Sequence, residues 1–312
     1  MLLRKDIIDM KENCYLFVHF TGESPDGEQV YFALSRDGQH FEDQNGGSPV
    51  LRSRIGECGV RDPFILRSKI DGKFYIIATD LRIANGKGWG VAQNEGSRKM
   101  VIWCSEDLVN WSEPWMYDTA LEDAGCVWAP EAAYDSGRDA YIVFWASKMK
   151  IDGEGRRKQK IYRAYTRDFR EFTGPKLYIE KEDDVIDTTI VHENGMFYRF
   201  SKDETTKRIV MDCGHDLIGE FTEINSEALA SLPGVEGPIA FMRHDGAWCL
   251  MVDQFAKGAG YLPLLTRDLA SGKFEIMDSA DYDLGHSIKR HGSILTITDE
   301  EYARVEAAFG TR

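Results

Sequence analysis

The stretch "VEGPIAFMRHDGAWCLMVDQ", residues 235–254, contains an apolar run opened by an acid, Glu236, then a turn at Asp245–Gly246, then a second apolar run with large side chains. Two strands joined by an Asp-Gly turn form a hairpin, and a glutamate at its mouth would ordinarily sit out in water. Four other places in the chain read the same way. The second run has counterparts in "NCYLFVHFTG" (13–22), "DGKFYIIATD" (71–80), "GRDAYIVFWAS" (137–147) and "NGMFYRFSKD" (194–203). The first has counterparts in "GVRDPFIL" (59–66), "VWAPEAAY" (127–134), "VIDTTIV" (185–191) and "KRHGSILTI" (289–297), which supply Asp62, Glu131, Asp187 and His291 at or near the strand mouth.

A further segment also recurs five times: "SRDGQHF" (35–41), "SEDLVNW" (105–111), "TRDFREF" (166–172), "GHDLIGEF" (214–221) and "TRDLASGKF" (266–274). Each places an Asp just after a strand-like run, where its carboxylate can close a turn, and follows it with an aromatic that can cover a sheet. These segments read as outer hairpins. Successive copies are about 48–70 residues apart, enough for one four-stranded sheet per repeat, and the β-branched and aromatic content argues for an all-β chain. Helix is expected only in short pieces such as "TDEEYARVEAAF" (298–309), where Thr298 and Glu301 fit a capping box.

The terminal inner strand lacks a following partner, and the N-terminal strands lack a preceding one. Joining them gives a five-bladed β-propeller, its last blade closed by the C-terminal inner strand plus N-terminal outer strands. The expectation is one domain over 1–312. Inner-strand mouths in such a ring face one axis, so Asp62, Glu131, Asp187, Glu236 and His291 are expected to converge. Taken singly, each acid reads as a turn or strand-end residue satisfying nearby backbone N–H groups. Carboxylates gathered in one funnel lose hydration and repel one another, at a cost of several kcal/mol unless cations, hydrogen bonds or shifted pKa values offset it. Such clusters mark functional sites.

Composition narrows the possibilities. A formal charge of −14 on 312 residues disfavours nucleic acid and anionic membranes and suits a neutral or cationic ligand. The first twenty residues, with Asp6, Asp9, Lys11 and Glu12, do not form a secretory signal, which makes cytoplasmic residence the expectation. The six cysteines form no C-x-x-C pair and lie on or beside apolar runs, as reduced core thiols do. No P-loop, dinucleotide fingerprint, G-x-S-x-G or H-E-x-x-H is present, so no nucleotide cofactor is expected. Paired carboxylates across a cleft suit glycosidic bond cleavage, one protonated to release the leaving oxygen and one ionised to activate water or attack the sugar. Trp128, beside the second strand mouth, is a candidate sugar platform; Trp89 and Phe255 read more readily as core or lid.

The set "RDPFIL…DGKFYIIATD", "VWAPEAAY", "IDTTIV", "VEGPIAF" and "RHGS" resembles glycoside hydrolase family 43 over roughly residues 55–297. That family of five-bladed propellers includes β-xylosidases, α-L-arabinofuranosidases, arabinanases and exo-galactanases. The spacings, 125 residues from Asp62 to Asp187 and 49 from Asp187 to Glu236, are similar to the family's. The resemblance implies an inverting enzyme acting on an oligosaccharide, with Asp62 as general base, Glu236 as general acid and Asp187 positioning the acid and raising its pKa. It also implies a base–acid separation of about 6.5–9.5 Å. Arg290 would reach sugar hydroxyls, Arg61 would hold Asp62 ionised, and His291 would match the family's axial histidine, which in many members touches a water cluster centred on a metal, often Ca²⁺. "WAPE" stands where "WAPD" is commoner, which leaves the role of Glu131 open. Two other readings stay open: a non-catalytic carbohydrate-binding propeller, and a retaining enzyme like the fructan-cleaving propellers, although "NDPNG" is absent and the only "EC", Glu57–Cys58, precedes Asp62. Sugar identity, exo or endo action and oligomeric state are not legible.

Overall fold

The computed structural model describes residues 12–151 and 155–310. Its first strands, β1 (Glu12–Phe20), β2 (Tyr31–Ser35) and β3 (Glu42–Asp43), wait on the far end of the chain for their inner neighbour. A complete sheet follows from β4 (Val60–Arg67), β5 (Phe74–Asp80), β6 (Lys99–Ser105) and β7 (Trp115–Asp118), with a short helix α1 (Trp89–Asn94) between β5 and β6. The next comprises β8 (Trp128–Asp135), β9 (Ala140–Lys150), β10 (Arg157–Thr166) and β11 (Lys176–Ile179). Then come β12 (Val185–Glu193), β13 (Met196–Asp203), β14 (Arg208–Gly214) and β15 (Thr222–Ile224), and after helix α2 (Glu227–Ala230), β16 (Glu236–Met242), β17 (Trp248–Asp253), β18 (Tyr261–Thr266) and β19 (Glu275–Ile276). The strand β20 (Arg290–Thr298) pairs antiparallel with β1, placing Leu16 opposite Leu295 and Phe17 opposite Ile294, and so completes the sheet order β20-β1-β2-β3. The fold is the expected five-bladed propeller with the expected closure, capped by α3 (Asp299–Phe309).

Apolar strands face neighbours on both sides, so the core is distributed as wedges between blades. Leu16, Phe32, Val60, Ile76 and Trp103 fill the wedge between the closing sheet and the next; Ile77, Ile102, Val143, Trp145 and Phe169 fill the following one. Each large side chain buried this way stabilises the fold by about 1.5–3 kcal/mol. The second strands carry most of this load: all seven residues of β5 are buried.

The outer hairpins follow the recurring Asp. Asp37 Oδ1 accepts from the N–H groups of Gln39 (2.7 Å) and His40 (2.8 Å), Asp107 from Val109 and Asn110, Asp168 from Arg170 and Glu171, and Asp268 from Ala270. Asp216 departs: Gly219 N donates to its backbone carbonyl (2.9 Å), and Gly214 stands where the other copies have a Ser or Thr hydroxyl two residues earlier. Thr298 and Glu301 form the expected capping box on α3, and Arg67 donates to both Glu301 oxygens (2.6 and 2.9 Å), docking the helix on the first complete blade. All six cysteines are free, but only Cys14, Cys126 and Cys249 are core thiols; Cys58, Cys104 and Cys213 are half-buried, and Cys58 lies in a loop with φ 57°. Among the described residues no helix is long and apolar enough to cross a membrane.

Candidate active site

Every inner strand is interrupted by a bulge one or two residues in from its mouth. The pairing of Arg61 with Thr79, Trp128 with Ala146, Ile186 with Lys202, Glu236 with Asp253 and Arg290 with Phe20 is followed in each case by a register shift. In four of the five the next residue is left-handed: Asp62 (φ 51°), Ala129 (φ 46°), Asp187 (φ 49°) and Gly237 (φ 52°). A bulge re-aims the side chains around it, and here it turns the strand mouths onto a shared cavity of about 330 Å³. The bulge also corrects the sequence alignment of the acids. Asp62, Asp187 and His291 occupy the bulge position, Glu236 precedes it by one residue, and Glu131 follows it by two.

Asp62, Asp187, Glu236, Arg61, Trp128, Arg290 and His291 all line this cavity. Asp62 accepts from the Thr79 hydroxyl (2.8 Å), which in turn accepts from the N–H of Ala129 (2.8 Å). His291 Nδ1 lies 3.5 Å from Asp62 Oδ1 and 3.9 Å from Asp187 Oδ2. Asp187 also accepts from the N–H of Gly237 at 3.2 Å. Glycine is required at 237 for a second reason: a Cβ there would lie 2.6 Å from His291 Cγ. Glu236 is gripped from two sides, by Lys202 Nζ on Oε2 (2.8 Å) and by Arg290 on Oε1 (2.9 Å), while Arg290 Nε reaches Asp253 at 2.6 Å.

These contacts set the protonation of the acids. Burial pushes Asp187 up to about 6, helped by the negative charges of Glu236 and Asp62 and opposed by His291 and Lys202. Burial pushes Glu236 the same way, but Lys202 and Arg290 outweigh it and hold the carboxyl below the usual glutamate range. The expected rise of Glu236 is therefore outweighed in the free protein. Asp187 is the acid with the raised pKa, and the two cations on Glu236 outweigh the effect that Asp187 has on it.

Two other expectations are corrected. Arg61 does not hold Asp62: its guanidinium pairs with Glu28 (2.9 Å) and Glu23 (3.7 Å) and lies over the rings of Phe20 and Trp89. Glu131 does not line the cavity. It is buried, and its carboxyl is raised well above the usual glutamate range, first by burial and then by the charge of Asp187, with Thr189 opposing. Hydrogen bonds tie other inner strands together: Ser293 links β20 to β4, and Tyr261 spans the bulges of β16 and β20. Because the folded pKa of Glu131 is raised, keeping it ionised costs stability only above its unfolded value near 4.5. Glu131→Gln is expected to raise the thermal midpoint at pH 8, to leave it unchanged at pH 4, and to spare activity. A loss of substrate affinity in this variant would restore Glu131 to the site.

Sequence reasoning missed Lys202, Glu204 and Glu23, and it read Trp89 and Phe255 as packing. All five line the cavity; Trp89 is 40% exposed and packs edge-on to Trp128 with ring centroids 5.9 Å apart. The place of Lys202 is set by strand register. It faces Ile186 across the β12–β13 ladder just as Asp253 faces Glu236 across β16–β17.

An axial calcium is not shown, and the side chains around the axis would leave most of its coordination to water. Ca²⁺ takes six to eight oxygen ligands, whereas among the described residues no group of three or more His, Cys, Asp or Glu side chains is placed to hold a metal ion. His291 offers a nitrogen already turned toward two carboxylates. The cavity instead brings together an ionised carboxylate between two cations, a carboxyl that retains its proton to about pH 6, and apolar rings at the rim. That arrangement is equipped for proton transfer to and from a polyhydroxylated ligand.

Comparison with known proteins agrees. Residues 11–303 match a family described as "Probable glycosyl hydrolase domain", related to glycoside hydrolase family 43. An α-L-arabinofuranosidase of Bifidobacterium longum subsp. longum is 34% identical over 209 residues, 61% of this chain but 19% of that much longer protein. In fold the chain is similar to a thermostable family-43 glycoside hydrolase (TM-score 0.58, 13% identity, 90% of this chain and 94% of that one). It is similar also to an endo-1,4-β-xylanase from Bacteroides thetaiotaomicron (TM-score 0.58, 13% identity, 90% and 93%).

Proposed function

The chain belongs to the family of glycosyl hydrolase domains related to family 43, and from that premise we propose that it hydrolyses a terminal glycosidic bond with inversion of configuration, Glu236 as general acid and Asp62 as general base. The observation that carries this reading is the meeting of Asp62, Asp187 and Glu236, from three different blades, in one cavity with Trp128 on its wall. Asp62, with Oδ2 on Thr79 and Oδ1 3.5 Å from His291 Nδ1, takes a proton from water. Glu236 gives its proton to the leaving oxygen and becomes the anion that Lys202 and Arg290 stabilise. Asp187, anchored on the N–H of Gly237 next to the acid and facing His291 at 3.9 Å, fixes the approach of Glu236. The name of the Bifidobacterium relative makes an α-L-arabinofuranoside the first substrate to try, followed by β-xylosides and β-galactosides.

A single experiment tests this. The protein is incubated with aryl α-L-arabinofuranoside, β-D-xyloside and β-D-galactoside, and the anomer of the first-formed sugar is read by proton NMR. Cleavage of one substrate with the inverted anomer released is expected. Binding without turnover on any of them would instead favour a carbohydrate-binding propeller, the reading suggested by the two cations that keep Glu236 deprotonated in the free protein. Release of the retained anomer would point to a covalent route.

A further inference from the structure

Lys202 is an ammonium buried in the wall of a sugar-sized cavity, its side chain 3% exposed, and none of the steps above requires it to touch substrate. It projects from β13 beside the bulge that aims Asp187. Its Nζ lies 2.8 Å from Glu236 Oε2, 2.8 Å from Glu204 Oε2 and 4.4 Å from the centre of the Phe255 ring. On the other side of Glu236, Arg290 bridges to Asp253. Glu236 therefore stands at the centre of an alternating row: Asp253, Arg290, Glu236, Lys202, Glu204. The charged and titratable groups around it are Asp187 from β12, Lys202 from β13 with Glu204 of the following turn held on its ammonium, Asp253 from β17, Tyr261 from β18, and Arg290 and His291 from β20.

We propose that Lys202 is a positioning residue for hydrolysis: it fixes one oxygen of Glu236 and stabilises the anion that Glu236 becomes, strengthening the acid while confining activity to the acidic side of its pH range. The proposal rests on Glu236 being the general acid. In the step concerned, a bond forms between the water oxygen and the anomeric carbon as Asp62 takes a water proton. The bond from that carbon to the leaving oxygen breaks, its electron pair stays on the leaving oxygen, and that oxygen takes the proton of Glu236. Negative charge thus develops on Glu236 2.8 Å from an ammonium that is already in place and needs no reorganisation. The same contact disfavours the protonated form before reaction. Arg290 alone would leave Oε2 without a partner and free to rotate away from the leaving oxygen. Glu204 draws the ammonium the other way and moderates its hold.

The sign follows directly. Activity falls on the basic side as Glu236 loses its proton, so a cation that favours the anion places that limb at lower pH, and its removal moves the limb up. The test compares Lys202→Met, Lys202→Arg and Glu204→Gln with the wild type. It measures kcat/KM against pH on an alkyl and an aryl glycoside of the sugar that is cleaved, and it follows the Glu236 carboxyl by isotope-edited infrared titration, with Glu236→Gln identifying the band. In Lys202→Met the basic limb and the carboxyl titration both rise by about one pH unit or more, and the acid-side plateau on the alkyl glycoside drops about tenfold while the aryl glycoside is nearly spared. Lys202→Arg restores both, and Glu204→Gln moves the limb down. A uniform loss at every pH in Lys202→Met, with the Glu236 titration unmoved, would make Lys202 merely structural and overturn the proposal. A wild type that cleaves no glycoside, with the titration still shifted in Lys202→Met, overturns the hydrolase reading and with it the catalytic half of this one.

Discussion

Glu236→Gln is expected to lower kcat/KM on alkyl glycosides by about 10²–10⁴-fold, the range a positioned general acid contributes, while aryl glycosides with acidic phenol leaving groups lose far less. An alkoxide is too basic to depart unprotonated, whereas a nitrophenolate departs without help. The substitution keeps the shape of the side chain and leaves neither cation stranded, because Lys202 retains Glu204 and Arg290 retains Asp253. The thermal midpoint should accordingly move little, and the basic limb of the pH profile should vanish with the group that titrates. Steady-state kinetics on the matched pair of substrates decide the matter. An equal loss on both leaving groups would mean that Glu236 binds the sugar and does not protonate it.

Asp62→Asn should cost about as much, some 10²–10⁴-fold, but without regard to the leaving group, because every substrate needs its water activated. Asparagine is the conservative choice at this position. The residue sits at φ 51°, in the left-handed region that Asn and Asp tolerate better than other side chains, and the amide oxygen can still accept from Thr79. An alanine variant would mix backbone strain with lost chemistry. The two substitutions thus differ in a way that a single assay reads: the ratio of aryl to alkyl turnover rises in Glu236→Gln and stays at the wild-type value in Asp62→Asn. Full activity in the asparagine variant would place the base elsewhere.

Most of the blade plan was legible because it depends on periodicity. The alternation of inner, second and outer strands, the recurring Asp of the outer hairpins and the unpartnered runs at the two ends led to the ring and its closure. Asp62, Asp187, Glu236 and His291 were legible as neighbours for the same reason, since residues at matching strand mouths must face one axis, with Trp128 beside one of them; Arg290 was legible through the family resemblance. The details lost were those decided by the bulge. A one-residue interruption in the ladder has no compositional mark when the left-handed residue is Ala129 or Asp187, yet it decides that Glu131 is buried outside the cavity and Glu236 lines it. Cross-strand partners were lost with it. Lys202 opposite Ile186 and Arg61 turned to Glu28 depend on register and on a distant loop, and neither is written in local pattern. The protonation of Glu236 followed Lys202 out of view.

The pairing of β20 with β1 has a consequence in time. Arg290 and His291 enter the site on the last strand of the ring, so as a nascent chain leaves the ribosome the blades between can form while the pocket still lacks the guanidinium that grips Glu236 and the imidazole that faces Asp62 and Asp187. The carboxylates gathered by then have Lys202 as their near cation. Completion of the pocket therefore waits for β20, in the same event that gives β1 its inner neighbour.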